Sequence, residues 1–197
     1  MEQIIFNIND LNEETYNKWY NLLHPLKKER IDRFRFFDDK KRSVAGDMIV
    51  KTALAEFCGV SAENIVIETD ENGKPYPVNI NLHFNISHAE DYVVCVVSDN
   101  KIGVDIEKIK PVNLNIAKRF FNEEEQIYIF GHKPHKENFE QEPTKDLLKR
   151  FFEVWTAKEA FLKYLGVGLT ENLQEIKVNQ NNLHHEYFDD YIISIYE

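Results

Sequence analysis

The chain has 197 residues, of which 43% are apolar, 13% aromatic and 29% charged, a composition that supplies a hydrophobic core and excludes extensive disorder. It carries 34 acidic and 24 basic residues, and the resulting net charge of -10 excludes a general nucleic-acid binder and charge-driven attachment to an anionic membrane. The same charge should repel phosphate ligands unless cations gather locally.

The two cysteines, Cys58 and Cys95, provide neither a disulfide framework nor a zinc site. Cys95 stands in the apolar run Tyr92–Val97, which predicts a buried core thiol. The first residues, Met1–Phe6, lack the basic and long apolar regions of a signal peptide, and no segment approaches the ~20 apolar residues of a membrane span. We therefore expect a reduced, cytoplasmic protein with no membrane or nucleic-acid partner.

The first half of the chain predicts helices followed by strands. An amphipathic pattern predicts a helix over 11–24. Apolar residues at every fourth position predict a second helix over 38–57, which Gly59 ends. Runs of strand-forming residues predict strands over 65–67, 82–87, 92–98 and 102–107.

The second half repeats this order of elements without a convincing repeat at the level of residues. Helices are predicted over 113–121, over 122–130 with Asn122 and Glu125 as a capping box, and over 144–165. Strands are predicted over 175–178 and 191–196, and 131–143 is a polar, exposed loop. The pattern predicts an α+β fold of two similar-sized lobes, 1–102 and 103–197, that share one interface.

The segment Gly103-Val-Asp-Ile-Glu107 alternates strictly between apolar and acidic residues. On a strand, Val104 and Ile106 face one side, and Asp105 and Glu107 face the other. Two carboxylates about 7 Å apart along one face can converge on a hard cation. The apolar residues predict a half-buried strand, and a polar side that simply meets solvent is the alternative interpretation.

The long helix predicted over 144–165 carries a carboxylate, Glu159, where an apolar residue is expected. The apolar stripe that Glu159 interrupts contains Leu148, Phe152, Trp155 and Leu162. A buried carboxylate must be paired or bind a metal, and Lys163 lies one turn further along the same face. An ordinary Glu–Lys helix pair is the alternative, but with the strand carboxylates the set suits Mg²⁺ and a pyrophosphate.

Eight of the sixteen residues from Lys27 to Arg42 are Lys or Arg, against four acids. This local positive charge in an acidic protein is typical either of a solvated helix surface or of phosphate recognition. Lys74, in Gly73-Lys-Pro75, is a further cation on a loop stiffened by proline. Either interpretation stays open from the residues alone.

The segment Phe84-Asn-Ile-Ser-His88 places two hydrogen-bonding side chains at the end of a predicted strand. Ser87 and His88 could donate to a phosphate. A Ser–His hydrolase is a poor interpretation, because neighbouring strand residues point in opposite directions and the chain contains no G-x-S-x-G motif. The histidine pairs in polar loops have no further ligands beside them and are weak zinc candidates.

These segments, in this order, resemble the 4'-phosphopantetheinyl transferases, and more narrowly the surfactin-synthetase-activating type, which is monomeric and pseudo-dimeric. The matching segments are Gly73-Lys-Pro75, Phe84–His88, Gly103–Glu107, Ala117-Lys-Arg-Phe-Phe121 and Trp155-Thr-Ala-Lys-Glu-Ala-Phe-Leu-Lys163. The resemblance implies two similar α/β lobes related by a pseudo-two-fold axis, with the active site at their interface. Here the second lobe ends in a short C-terminal hairpin.

The resemblance also implies an activity and a set of roles. Such enzymes transfer the phosphopantetheine arm of coenzyme A to a serine of an apo acyl or peptidyl carrier protein and release adenosine 3',5'-bisphosphate. Asp105, Glu107 and Glu159 would hold Mg²⁺ against the pyrophosphate, which Lys163 would also contact. The residues implied to bind the nucleotide end, including its 3'-phosphate, are Lys27, Arg42, Lys74, Ser87 and His88. Glu125 matches an acidic position that approaches the metal or the attacking serine.

Several alternatives stay open at this point. The acceptor of the serine proton is Glu159, Glu125 or a water molecule. A non-catalytic module that binds coenzyme A or a nucleotide, and a metal-dependent phosphodiesterase, are the other functions considered. The polar loop 131–147 lies where the family contacts its carrier, and the acidic surface predicts poor electrostatic steering of a strongly acidic carrier.

Overall fold

Contacts within the computed structural model divide the chain into two compact units, Met1–Val104 and Asp105–Glu197, which we call the N-terminal and C-terminal units. The structure describes residues 1–71, 73–168 and 173–197. Both units combine helices with small sheets, which confirms the predicted α+β class. The pseudo-two-fold relation stays a prediction.

The N-terminal unit follows the predicted order of helices and then strands. Its helices are α1 (Glu13–Asn21), α2 (Pro25–Asp32) and α3 (Phe37–Cys58), and its strands are β1 (Glu2–Asn7), β2 (Ile67–Thr69), β3 (Pro75–Pro77), β4 (His83–Ala89) and β5 (Tyr92–Ser98). Strand β5 lies between β1 and β4 and pairs antiparallel with both. Helix α3 packs against β5. Because β5 is the central strand of its sheet and also contacts this helix, it is buried, which explains its continuous apolar run.

The middle of the sheet buries Cys95, opposite Ile4 on β1 and Ile86 on β4. Burial raises the pKa of its thiol to about 12, so the predicted core thiol is confirmed. Helix α3 approaches the sheet closely at Gly46, where an added Cβ would stand 2.8 Å from the Ile86 Cδ1 atom. The helix ends at Gly59, which adopts a left-handed conformation with φ of 65°, as its sequence position predicts.

The C-terminal unit is built around one long helix. Its helices are α4 (Asn115–Phe120), α5 (Glu123–Phe130) and α6 (Lys145–Leu165), and its strands are β6 (Gly103–Lys108, which begins at the boundary between the units), β7 (Leu183–Phe188) and β8 (Tyr191–Tyr196). The sheet has the order β6–β8–β7, and α6 packs on β8. The Thr144 side chain caps the start of α6 by accepting a hydrogen bond from the Leu147 N–H, and Gly166 ends the helix.

The second half departs from prediction at the partner of β8. The strand predicted over 175–178 is wrong, because Leu173–Glu175 form a short 3-10 turn and the hairpin partner is Leu183–Phe188. This strand carries His184, His185 and Glu186, and its polar residues gave a weak strand signal. It becomes a strand because β8, which is buried throughout, pairs with it.

Three elements of the N-terminal unit were not predicted: β1, α2 and β3. Strand β1 forms by pairing along its length with β5, a contact between distant segments. Helix α2 begins with Pro25, is short and consists mostly of charged residues of both signs, so it showed no apolar stripe. The strand predicted over 65–67 lies instead at Ile67–Thr69, where it pairs with Pro75–Pro77 in the predicted loop. Within the described residues, none of the helices is both long and apolar enough to cross a membrane.

Candidate active site

An acidic strand and a basic residue of the long helix meet in the C-terminal unit. Strand β6 places Asp105 in the interior with 4% of its surface exposed, and the Lys163 Nζ atom of α6 donates to its Oδ1 atom at 2.7 Å. The expectation of a half-buried strand is wrong at this position, because Val104, Asp105 and Ile106 are all buried. A buried carboxylate needs such a partner to remain charged.

Two further carboxylates interact with Asp105 through their charges. Burial and then the negative charge of Asp105 raise the pKa of Glu107 to about 7, while a hydrogen bond with Trp155 opposes the shift. Burial and the charge of Asp105 likewise raise the pKa of Glu159 to about 7, against the effect of Lys163. The strand and the helix thus bring the predicted residues Asp105, Glu107, Glu159 and Lys163 into one electrostatic cluster, which we call the acidic cluster.

The donor chemistry of the acidic cluster fits a hard cation. Carboxylate oxygens are the protein ligands that Mg²⁺ prefers. Burial, followed by the negative charge of Asp105, raises the pKa values of Glu107 and Glu159, and a bound cation would relieve the part that comes from the charge of Asp105. In the described part of the chain, no group of three or more His, Cys, Asp or Glu side chains is arranged as a set that could hold a metal ion. The metal ligands therefore stay a prediction.

Glu125 is engaged in contacts within the C-terminal unit. It forms the predicted capping box at the start of α5, where its Oε2 atom accepts from the Asn122 N–H at 2.9 Å. Its Oε1 atom lies 2.9 Å from the Nζ atom of Lys158 on α6. Burial raises the pKa of Glu125, against the opposing effects of Lys158 and Asn122. Both oxygens of this carboxylate thus have partners in the fold.

Lys158 is a buried cation that the sequence pattern does not reveal. It is 2% exposed, and besides Glu125 its Nζ atom donates to the backbone carbonyls of Leu173 at 2.7 Å and Ile176 at 2.8 Å. Lys158 therefore connects α6 with α5 and with the segment before β7. Its neighbour Glu159 interrupts the apolar stripe as predicted. The spacing of apolar residues along the helix, however, does not distinguish Lys158 from a residue on the solvent-exposed face.

Cations from two helices line a cavity of about 290 Å³ in the N-terminal unit. Its polar walls come from α2, α3 and β4 and include Lys27, Arg30, Asp39, Arg42, Ser43 and His88. Burial lowers the pKa of Lys27, while Asp47, 3.7 Å from its Nζ atom, opposes the shift and Arg30 adds to it. Arg42 is oriented by Asp39 and by the backbone carbonyl of Glu90. The cavity can hold an anion of the size of a phosphate.

The predicted nucleotide-binding residues do not all line this cavity. On β4, Phe84, Ile86 and His88 line it, whereas the buried Ser87 lies between them in the alternating order of the strand and belongs to the opposite face. The neighbouring Asn85, on the face of Ser87, accepts a hydrogen bond from the Val104 N–H at 2.9 Å. The structure thus places Lys27, Arg42 and His88 together and Ser87 apart from them.

Lys74 lines a separate cavity of about 250 Å³, together with Asp70, His83 and Lys101. Burial lowers the pKa of Lys74, and the positive charge of Lys101 lowers it further. The two cavities share Pro75 and Phe84 in their walls. Lys101 was not predicted, because it stands 27 residues from Lys74 in sequence and only the packing of the loop against β4 brings the two cations together.

Two family models match the chain, one on each half. The model described as 4'-phosphopantetheinyl transferase, N-terminal, matches residues 11–100. The model described as 4'-phosphopantetheinyl transferase superfamily matches residues 101–194 and so includes the acidic cluster.

Relatives from bacteria and animals are named as phosphopantetheinyl transferases. The 4'-phosphopantetheinyl transferase psf-1 of Bacillus pumilus is 33% identical over 178 residues, which cover 88% of this chain and 72% of that protein. The 4'-phosphopantetheinyl transferase Sfp of Bacillus subtilis strain 168 is 34% identical over 169 residues, which cover 85% and 71%. The L-aminoadipate-semialdehyde dehydrogenase-phosphopantetheinyl transferase of Homo sapiens is 32% identical, with 82% of this chain and 54% of that protein covered.

Proposed function

The chain belongs to the 4'-phosphopantetheinyl transferase family, in its Sfp type, and from this premise we propose how its residues carry out the reaction. The enzyme transfers the phosphopantetheine moiety of coenzyme A to a carrier protein. We propose that the acceptor is a serine of an apo acyl or peptidyl carrier domain and that the other product is adenosine 3',5'-bisphosphate. The observation that carries this proposal is the acidic cluster with its Lys163–Asp105 contact of 2.7 Å.

The acidic cluster is the proposed site of the pyrophosphate and of Mg²⁺. Asp105, Glu107 and Glu159 would hold the ion, and the interacting charges of these three carboxylates support that assignment. Bound there, Mg²⁺ would neutralise negative charge on the pyrophosphate. Lys163 lies beside Asp105 and supplies a positive charge that stabilises the leaving bisphosphate as the phosphorus–oxygen bond breaks.

The contacts of Glu125 favour Glu159 as the acceptor of the serine proton. In the reaction the serine hydroxyl attacks the β-phosphorus of coenzyme A, its proton must be taken up, and the bisphosphate leaves. Glu125 uses both oxygens in contacts with Lys158 and the Asn122 backbone, so it would have to break a buried ion pair to act. Glu159 belongs to the acidic cluster itself and would accept the proton directly or through water.

The cavity of the N-terminal unit is the proposed site of the nucleotide end. Lys27, Arg42 and His88 would hold the 3'-phosphate, and Arg30, which lines the same cavity, adds a cation to this set. Lys74 would contact the nucleotide from the neighbouring cavity, and the role of Ser87 stays a prediction. A guanidinium such as that of Arg42 suits a phosphate because it donates two parallel hydrogen bonds.

The test of the function is transfer itself. Four proteins are compared: wild type, Asp105→Ala, Glu159→Ala and the control Glu175→Ala, which alters an exposed acid outside the acidic cluster. Each is incubated with Mg²⁺, coenzyme A and an apo carrier domain, and the mass of the carrier is then measured by mass spectrometry. We expect the phosphopantetheine mass with wild type and control only. Hydrolysis of coenzyme A without a carrier would indicate a phosphodiesterase, and binding without any transfer would indicate a non-catalytic module.

The role of the N-terminal cavity has its own test. Arg42→Ala should weaken the binding of coenzyme A, measured by titration calorimetry, far more than that of dephospho-coenzyme A, which lacks the 3'-phosphate. Equal weakening of both ligands would refute the assignment of this cavity to the 3'-phosphate.

A further inference from the structure

The nucleotide cavity of the N-terminal unit contains a carboxylate, although a phosphate site requires cations. Asp47 of α3 lines the cavity together with Lys27, Arg30 and Arg42, and its side chain is only 12% exposed. A negative charge in the wall of an anion site repels the ligand unless that charge is compensated. The proposed function assigns no role to Asp47.

Two lysines compensate the charge of Asp47. The Lys27 Nζ atom lies 3.7 Å from its Oδ1 atom, and the Lys51 Nζ atom lies 3.1 Å from its Oδ2 atom. Within the described residues, the buried Oδ2 atom has no hydrogen-bond donor of suitable geometry, so the charge of Asp47 depends on these ion pairs. The three side chains together carry a net positive charge, and the acid does not make this part of the wall repulsive for an anion.

The periodicity of α3 presents Asp47 to the cavity. The α3 residues that line the cavity are separated by three and four positions, which places them on one face of the helix: Asp39, Arg42, Ser43, Gly46, Asp47 and Val50. Within this face Asp39 pairs with Arg42 of the same helix. Asp47 instead pairs with Lys27 of α2, so its contact fixes the position of one helix relative to the other.

Helix α2, which carries Lys27, depends on its neighbours for its position. It has eight residues, and an isolated helix of this length is unstable in water. Of these eight residues, all of which the structure describes, Ile31 alone is buried. Hydrogen bonds with the Tyr20 hydroxyl and the Asn21 carbonyl tie α2 to α1, and the contact between Lys27 and Asp47 ties it to α3.

We propose that Asp47 is a positioning residue for the 3'-phosphate of coenzyme A, because it holds Lys27 and the cation-bearing face of α2 at the wall of the cavity. This role rests on the proposed function, which assigns the 3'-phosphate to Lys27, Arg42 and His88. Asp47 acts through Lys27 and does not touch the phosphate. A lysine that is held in place before the ligand arrives loses less conformational entropy on binding, so Asp47 strengthens binding although its own charge is negative.

Positioning and repulsion differ in the sign of their effect on binding. Asp47→Asn keeps the shape of the side chain and removes its charge, Asp47→Glu keeps the charge, and the control Asp38→Asn alters an exposed acid on the same helix. Titration calorimetry measures the binding of coenzyme A and of dephospho-coenzyme A. We expect Asp47→Asn to weaken coenzyme A binding by about fivefold, Asp47→Glu to restore most of it, and the control to match wild type. Dephospho-coenzyme A should bind equally to all four proteins.

A double-variant cycle tests whether Asp47 acts through Lys27. In the Lys27→Ala background, Asp47→Asn should cause no further loss of coenzyme A affinity, because the residue on which Asp47 acts is absent. A loss equal to that in the wild-type background would overturn the proposal. Tighter binding of coenzyme A by Asp47→Asn would overturn it in favour of repulsion, and loss of the folded state, followed by circular dichroism, would overturn it in favour of a structural role.

A measurement without ligand separates the role of Asp47 from the proposed function. Burial lowers the pKa of Lys27, Asp47 raises it, and Arg30 and Lys51 lower it; the other charged or titratable residues that line the cavity are Asp39, Arg42 and His88. In an NMR titration of the lysine side chains, the pKa of Lys27 should be lower in Asp47→Asn than in wild type, and an unchanged pKa would refute the contact. If this pKa falls but wild type binds coenzyme A and dephospho-coenzyme A equally, the assignment of the cavity to the 3'-phosphate fails, while Asp47 still positions Lys27.

Discussion

Lys158→Met removes a buried charge while it keeps most of the apolar stem of the side chain. Lys158 is 2% exposed, and the variant deprives the Glu125 carboxylate of its counterion and the carbonyls of Leu173 and Ile176 of their donor. Breaking a buried ion pair from one side typically costs about 3–5 kcal/mol. The Glu125 side chain retains 18% exposure, so water can reach it, and we expect the lower value of about 3 kcal/mol.

The assay is urea and thermal unfolding followed by circular dichroism. For a chain of this size a loss of about 3 kcal/mol in the free energy of unfolding corresponds to a fall of about 6–12 °C in melting temperature. Glu125→Gln leaves Lys158 buried without a counterion and should also destabilise. The double variant should lose less than the sum of the single losses, with a coupling of at least about 1 kcal/mol.

The control for this cycle is Lys133→Met, which breaks the exposed ion pair of Lys133 with Glu123 on the same helix α5. Pairs of this kind are weak because solvent screens them, so we expect no measurable change in the unfolding midpoint. A melting temperature of Lys158→Met equal to that of wild type would refute the assignment of a structural ion pair. Strict additivity of the two single variants would refute the coupling between Lys158 and Glu125.

Three further predictions concern single side chains. A thiol reagent should modify Cys58, which is exposed, and spare the buried Cys95, whose pKa is raised to about 12; rapid modification in Cys58→Ser protein would contradict this. Burial lowers the pKa of His185 from its ordinary value of 6.5, so below that pH the unfolded chain takes up a proton that the folded state excludes. Wild type should therefore lose stability between about pH 7.5 and about pH 5.5 more steeply than His185→Gln. The same dependence of melting temperature on pH in both proteins would refute this prediction. Thr144→Ala should cost about 1 kcal/mol through loss of the α6 cap, measured by urea unfolding, while Thr144→Ser should restore stability; equal losses in both variants would exclude the capping role.

The elements with local signals were predictable from the amino-acid sequence alone. The capping box of Asn122 and Glu125 and the glycine that ends α3 lie where they were predicted. The basic segment Lys27–Arg42, the acidic strand and the Trp155–Lys163 segment follow one another in an order that resembles the family, and this resemblance indicated the family. Local signals of this kind depend on hydrogen bonds and side chains within a few residues of one another.

Contacts between distant segments of the chain determine which of these residues meet. The Lys163–Asp105 contact joins residues 58 positions apart, and Lys158 takes Glu125, a residue the sequence had linked to the reaction, into a structural ion pair. The same packing sends Lys27 into a cavity and Lys28 onto an aromatic ring. Periodicity reports which face of an element is apolar, whereas the identity of a partner depends on how distant elements pack, and this information is not contained in any single segment of the chain.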